Sequence, residues 1–232
     1  MKEKKERTKQ QKQKIYFVYF LGGSIIVIII FAFIIIGSFW DYWSQLRRIE
    51  NFYKNQALTL TQKFPQINPG DPVKGEFTAK VTIFEYSDFF CPACQVLLKD
   101  LTEIEKFYGN RVKFVYKGLP ITLHPENRIS INVVYCAHEQ NQFWQYKELL
   151  GKDPLLLNKQ KYLEYAQKLG LNLENFNACL DSKKYEVLIN QNMSDALSLQ
   201  ITSVPTVYVN KQKLEGFIDF NSLKKAIDKE LL

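Results

Sequence analysis

The chain has 232 residues, with 31 Lys and Arg against 24 Asp and Glu, a formal net charge of +7; it is 46% apolar and 24% charged. That balance fits one folded domain with an appendage and excludes a disordered chain, a collagen-like chain and a multi-pass membrane protein. Four cysteines are too few for a disulfide-dense miniature scaffold.

The charge is unevenly placed. Residues 2–14 hold Lys2, Lys4, Lys5, Arg7, Lys9, Lys12 and Lys14 against Glu3 and Glu6, a net of +5, and residues 15–40 hold none. Residues 41–232 are therefore only +2. A nucleic-acid-binding protein would spread its basic patch over the folded domain. Cations crowded before an apolar run instead read as a membrane topology signal, with no nucleic acid as partner.

Ile15 to Trp40 is dominated by Ile and Phe, densest over Ile25–Ile36. At about 1.5 Å per residue it exceeds the roughly 30 Å hydrocarbon core of a bilayer. Tyr16 and Tyr19 near one end, and Trp40, Tyr42 and Trp43 near the other, suit the two interfaces. The run is longer than a cleavable signal's apolar core, and its exit, IIIGSFWDYW, lacks the small residues of a cleavage site. The sequence predicts a basic cytoplasmic tail over 1–14 and an uncleaved transmembrane signal anchor over 15–40. The carboxy-terminal part then lies outside the cell membrane. A stalk or linker follows over 41–72, first helical and then broken by Pro65, Pro69, Gly70 and Pro72. Residues 73–232 suffice for one well-buried core.

Within that domain, KVTIFEY (80–86) reads as a buried strand. A helix is expected from Pro92 to about Tyr108, with Val96, Leu97, Leu101, Ile104 and Phe107 as its apolar stripe. RVKFVYK (111–117) reads as a second strand, which completes a βαβ unit with parallel strands. Helices are expected at 126–140, 143–150, 159–169, 173–181 and 184–199. TVYVN (206–210) and KLEGF (213–217) return to β character, and a last helix begins near Asp219 or Asn221. The order predicts an α/β sandwich with a helical lid.

Cys91-Pro92-Ala93-Cys94 falls between the first strand and the first helix. A helix amino terminus offers unpaired N–H groups and partial positive charge, which stabilise a thiolate. Pro92 suits the first helical position, where its missing N–H is not needed. Cys94 lies one turn on, so Cys91 can attack a substrate sulfur and Cys94 can resolve the mixed disulfide. The other reading, half of a zinc site, needs a second pair of ligands at metal spacing. Cys136 and Cys179 are 43 apart, and the only histidines are His124 and His138.

VTIFEYSDFFCPACQ resembles the active-site strand and helix of the thioredoxin-fold thiol–disulfide oxidoreductases, specifically the DsbA-like family. ITSVPTVYVN resembles that family's cis-proline loop and the strand after it. The similarity covers roughly residues 72–232 and implies a thioredoxin-like fold with a helical insertion at about 121–199. It implies Cys91 as nucleophile, Cys94 as its partner, Pro205 as the cis-proline facing the disulfide, and Val204 as a substrate backbone contact. Pro205 could instead be an ordinary trans proline opening a strand. Glu85 matches a buried acid beneath the active site, where burial would raise its pKa and let it relay the Cys94 proton. Its alternation with apolar neighbours also permits a solvent-facing strand position. Phe89, Phe90, Phe143 and Trp144 read as core, though Phe89 and Phe90 flank the site and Phe90 is a candidate substrate contact. His124 and His138 read as loop or surface residues, with His124 in a loop that approaches the family's active site.

The resemblance extends to a subfamily with a second, structural disulfide, so a Cys136–Cys179 bond is expected; two buried free thiols are the other possibility. The family has Pro-His between its cysteines in its strongest oxidants, whereas this chain has Pro-Ala. Losing the His removes a donor near Cys91 and makes a disulfide less oxidising. The expected activity is disulfide introduction into reduced secreted or cell-envelope proteins, with no cofactor. The resemblance implies reoxidation by a membrane quinone-linked thiol oxidase. Reversed flux, as a reductase or isomerase, and a non-enzymatic thiolate metal carrier are the competing readings.

Overall fold

The computed structural model describes residues 35–48, 50, 64–120, 125–152 and 156–232. They belong to two compact units, Met1–Leu58 and Thr59–Leu232. In the first unit, residues 35–48 form a helix with Ile35, Phe39, Trp40, Tyr42 and Trp43 exposed. That helix runs straight through position 40, where the sequence suggested the anchor gives way to the stalk. Phe39 and Trp43, one turn apart, bring their ring centroids within 6.1 Å. The basic tail, most of the expected anchor and the stalk over 51–63 lie outside the described residues. Among the described residues, no helix is long and apolar enough to cross a membrane.

The second unit is built on five strands: β1 (Val73–Lys74), β2 (Val81–Ser87), β3 (Val112–Gly118), β4 (Thr206–Val209) and β5 (Gln212–Glu215). Their order across the sheet is β1-β3-β2-β4-β5. β2 and β3 are parallel, with Glu85 opposite Tyr116, and the other neighbours are antiparallel. The short edge strand β1 has no sequence signature of its own. Two residues carry too little periodicity to be read.

The helix α1 (Pro92–Tyr108) crosses from β2 to β3, and α7 (Phe220–Leu231) closes the chain. Both cover one sheet face, where Leu97, Leu101 and Ile104 of α1 and Leu223, Ala226 and Ile227 of α7 meet Val81, Ile83, Val112 and Phe114. The buried stripe of α1 is Cys94, Leu97, Leu101, Ile104 and Tyr108. This corrects the expected stripe: Val96 and Phe107 are exposed. Each lies about 100° around the helix from its buried neighbour, Leu97 or Tyr108. A helix cap secures α7, where the Asp219 side chain accepts from the Ser222 N–H and Ser222 reciprocates.

Between β3 and β4 stand five helices: α2 (Pro125–His138), α3 (Phe143–Leu150), α4 (Lys159–Lys168), α5 (Leu173–Ser182) and α6 (Glu186–Ser198). The boundaries fall within a few residues of those read from the sequence, because Gly and Asn punctuate the block. Asn158 and Asn172 accept from the N–H three residues on, capping α4 and α5. The insertion has its own core, including Tyr135, Phe143, Tyr146, Tyr162 and Phe176, and Tyr116 of the sheet reaches into it. α6 packs on the opposite sheet face, where Ala196 joins Phe84, Tyr86, Val115 and Tyr208. Gly118 stands at the end of β3, where α2 comes so close that a Cβ would clash with the Ile131 side chain. The architecture is the thioredoxin-like fold with a helical insertion that the sequence predicts. A disulfide joins Cys136 of α2 to Cys179 of α5, with Cα atoms 5.8 Å apart.

Candidate active site

The loop between β2 and α1 is shaped by one buried aspartate. Asp88 Oδ1 accepts the Phe90 N–H at 2.9 Å, and the Cys91 N–H donates to the Asp88 carbonyl at 3.2 Å. Asp88 Oδ2 accepts from Asn127 Nδ2 of α2 at 2.7 Å. This closed turn delivers Cys91 to the N-cap of α1 with extended backbone and places Pro92 in the first turn. Cys91 thus stands at the helix N-terminus without a side-chain capping bond of its own. Neither the Asp88 turn nor its Asn127 tether was read from the sequence. Asp followed by aromatics three residues before the first cysteine was the available signal.

The two cysteines sit in different surroundings. Cys91 is half-buried and Cys94 is buried, both as free thiols. Burial pushes the Cys94 thiol far above its ordinary value. The Asp88 N–H and the Ser87 side chain oppose that rise, while the hydrogen bond and charge of Cys91 add to it. Cys91 is thus the sulfur that an incoming partner can reach. Its Sγ donates to the Val204 carbonyl oxygen at 3.4 Å. Val204 and Pro205 are both buried, and the bond between them is cis. The structure therefore brings Cys91, Cys94, Val204 and Pro205 together from two chain segments more than 100 residues apart. Ala93 is exposed and adds no polar group beside Cys91.

Glu85 lies one strand position pair below Ser87 and is buried. Its burial agrees with the resemblance and excludes the solvent-facing position, and Lys147 Nζ of α3 lies 2.6 Å from Glu85 Oε2. An unpaired carboxylate in that position would be costly, so the ion pair is what permits it. Lys147 is itself buried, and its ammonium also lies 5.3 Å from the Tyr116 ring centroid and 5.5 Å from that of Trp144. In FWQYKELL a lysine looks like the solvent-facing residue of an amphipathic helix, so nothing in the sequence marks Lys147. Glu85 Oε1 has no hydrogen-bond partner among the described residues.

Phe90 is half-buried and packs against the core of the insertion, with Phe89 fully in that core. His138 is half-buried, edge-on to Phe143 with centroids 5.9 Å apart, and burial lowers its pKa. It stands on α2 as a packing residue. His124 lies outside the described residues.

A second buried ion pair occupies the other face of the sheet. Lys117 Nζ is 2.5 Å from Asp71 Oδ2 and 3.9 Å from Asp195 Oδ2, and Asn68 Nδ2 donates to Asp195 Oδ2 at 2.8 Å. Burial raises the Asp71 pKa, against the lowering effect of Lys117. This cluster ties the segment ahead of β1 to β3 and α6. It touches neither cysteine and reads as structural.

Fold and site together define a class: a thioredoxin-fold domain of DsbA-like build, with a CxxC helix, a facing cis-proline loop and a helical insertion. A family model described as "Thioredoxin" matches residues 67–229, and the chain belongs to that family. Among solved structures, BdbD from Bacillus subtilis superimposes with a TM-score of 0.61 at 23% identity, covering 70% of this chain and 93% of its own. The thiol-disulfide exchange protein alpha-DsbA2 from Wolbachia pipientis superimposes with a TM-score of 0.66 at 15% identity, covering 78% and 97%. These likenesses concern the fold. The Na(+)/H(+) antiporter NhaA 3 of Salinispora tropica is 30% identical over 158 residues, 68% of this chain and 24% of the antiporter. The chain spans about a quarter of the length of the curated relatives it matches.

Proposed function

We propose that the chain is a membrane-anchored, extracytoplasmic protein-disulfide oxidoreductase that introduces disulfides into secreted or cell-envelope proteins through Cys91 and Cys94. The observation that carries this reading is the asymmetry of the pair: a reachable Cys91 at a helix N-terminus against the Val204 carbonyl, and a buried Cys94 beside it. In the oxidised enzyme a client thiolate attacks Cys91 Sγ, and the Cys91–Cys94 bond breaks with Cys94 leaving as thiolate. Cys94 then takes up a proton, as its burial demands. A second client thiolate attacks the client sulfur of the mixed disulfide and releases Cys91. The client loses two electrons and the enzyme gains them. A membrane quinone-linked thiol oxidase would remove them again, as the resemblance implies. Val204 would contact the client backbone, as the resemblance implies. The Cys136–Cys179 bond supports an oxidising compartment. The uncharged run from Ile15 to Trp40 supports the anchor.

A second reading, reductase or isomerase, is favoured by Ala93, which contributes no donor to the Cys91 sulfur. The reduction potential of the pair, measured on the full chain in glutathione buffers, decides between them. Oxidases lie near about −120 mV and thioredoxin-like reductants near about −270 mV. A value above roughly −180 mV supports disulfide donation, and one below about −230 mV overturns it in favour of reduction or isomerisation.

A further inference from the structure

A trough of about 680 Å³ lies between α1 and the end of α3, and Pro92, the neighbour of Cys91, forms part of its wall. Its volume falls among those of pockets that bury a ligand the size of a short peptide segment, roughly 300–1,000 Å³. Val96, left half exposed by α1, lies open in it beside Leu98. At Gly151, just past α3, the missing Cβ leaves room for the Leu98 side chain. The rim carries Lys99 of α1 and Lys152 beyond α3, both exposed. Neither lysine has an ion-pair partner among the described residues. Glu148, the one acid among the described residues of the wall, already acts on Lys106. The Val204–Pro205 loop takes no part in this wall. Cys91 thus stands between two surfaces, with its sulfur against Val204 and the next residue in the trough.

We propose that the trough is a client subsite that favours reduced segments in which acidic residues flank an apolar one: the apolar side chain covers Val96 and Leu98, and the carboxylates meet Lys99 and Lys152. Covering Val96 supplies attraction that does not depend on charge. The lysines supply discrimination, because a rim cation attracts an acidic segment and repels a basic one. Exposed ion pairs are individually weak, so the preference is modest in size. One cation comes from the cysteine helix and the other from the insertion, so the preference belongs to the joint between them. The proposal names the substrate class of the redox site and rests on the oxidoreductase reading.

The test uses the oxidised full chain in non-ionic detergent and three dithiol peptides. These differ only in the pair of residues that flanks a leucine: aspartates, glutamines or lysines. At low ionic strength the aspartate peptide should be oxidised about 3- to 10-fold faster, as kcat/KM, than the lysine peptide, with the glutamine peptide between them. Salt should narrow the spread. Lys99→Glu combined with Lys152→Glu should reverse the order, while the glutamine peptide and the reduction potential stay as in the parent. The same reversal at Lys225 and Lys229, exposed on α7 and outside the trough, should keep the parent's order. A parent without preference, an order that survives the trough reversal, or one that the α7 reversal upsets equally, overturns the proposal. Oxidation of none of the three peptides would instead remove the oxidoreductase reading. Binding of the same peptides with serine for cysteine, followed by fluorescence anisotropy, then decides the subsite: the aspartate peptide should bind tightest, and the trough reversal should abolish that rank.

Discussion

Cys91 and Cys94 are one helical turn apart, yet one is half-buried and the other is buried, with its thiol pushed far above the ordinary value. The cause is position on the helix. Cys91 stands at the N-cap position, while Cys94 belongs to the stripe that α1 buries. Because burial raises the Cys94 value, the folded reduced chain keeps a proton that the unfolded chain releases above roughly pH 8.5. The stability from this group is fully present below that pH and is lost as pH rises above it. The oxidised chain has no such proton. Thermal unfolding should therefore show the form reduced at this pair losing stability relative to the oxidised form above about pH 9, on the order of 1–2 kcal/mol by pH 10. A difference between the two forms that is flat with pH would contradict this. Both cysteines were legible in the sequence because CxxC between a strand and a helix is a local pattern. Lys147 and Asn127 were not, because what makes them matter is a partner 62 or 39 residues away.

Among the elements, the helices of the insertion were readable because their caps and breakers are local. The expected stripe of α1 failed at Val96 and Phe107, since apolarity alone does not say which of two adjacent residues faces inward. The insertion's own cross-link joins α2 to α5 across 43 positions. Closing a loop of that length restricts the unfolded chain by about 4 kcal/mol in the loop-entropy view. Replacing both Cys136 and Cys179 by Ala should thus lower unfolding stability by about 2–4 kcal/mol, read by denaturant titration. Unfolding that is unchanged would show that the bond constrains nothing. The Cys91–Cys94 reduction potential should move little, because neither sulfur of the cross-link reaches the active-site loop.

At the scale of the whole molecule, the sequence carries a statement about place that the described residues do not reach. The tail is cationic, the run after it is uncharged, and the catalytic domain is nearly neutral. The full chain should stay with membranes through an alkaline carbonate wash, and protease added outside should digest the domain while sparing the tail. Removal of residues 1–40 should release the domain into the soluble fraction. A full chain washed off by carbonate would sink the anchor. The βαβ start, the helical block and the ββα finish were legible in outline, since each is set by local periodicity. The two buried ion pairs, one on each sheet face, were not. Glu85 matched a buried acid by resemblance, but Lys147 on a helix, Lys117 on a strand and Asp71 in a turn look solvated until the fold closes over them.

The insertion supplies Asn127 to the cysteine loop and Lys147 to the strand acid beneath it. Recombination that moved the CPAC strand and helix alone into an insertion-free relative would carry Asp88 and Glu85 into it stripped of both partners. A graft that kept both contacts would have to carry α2 and α3 along with the strand and helix.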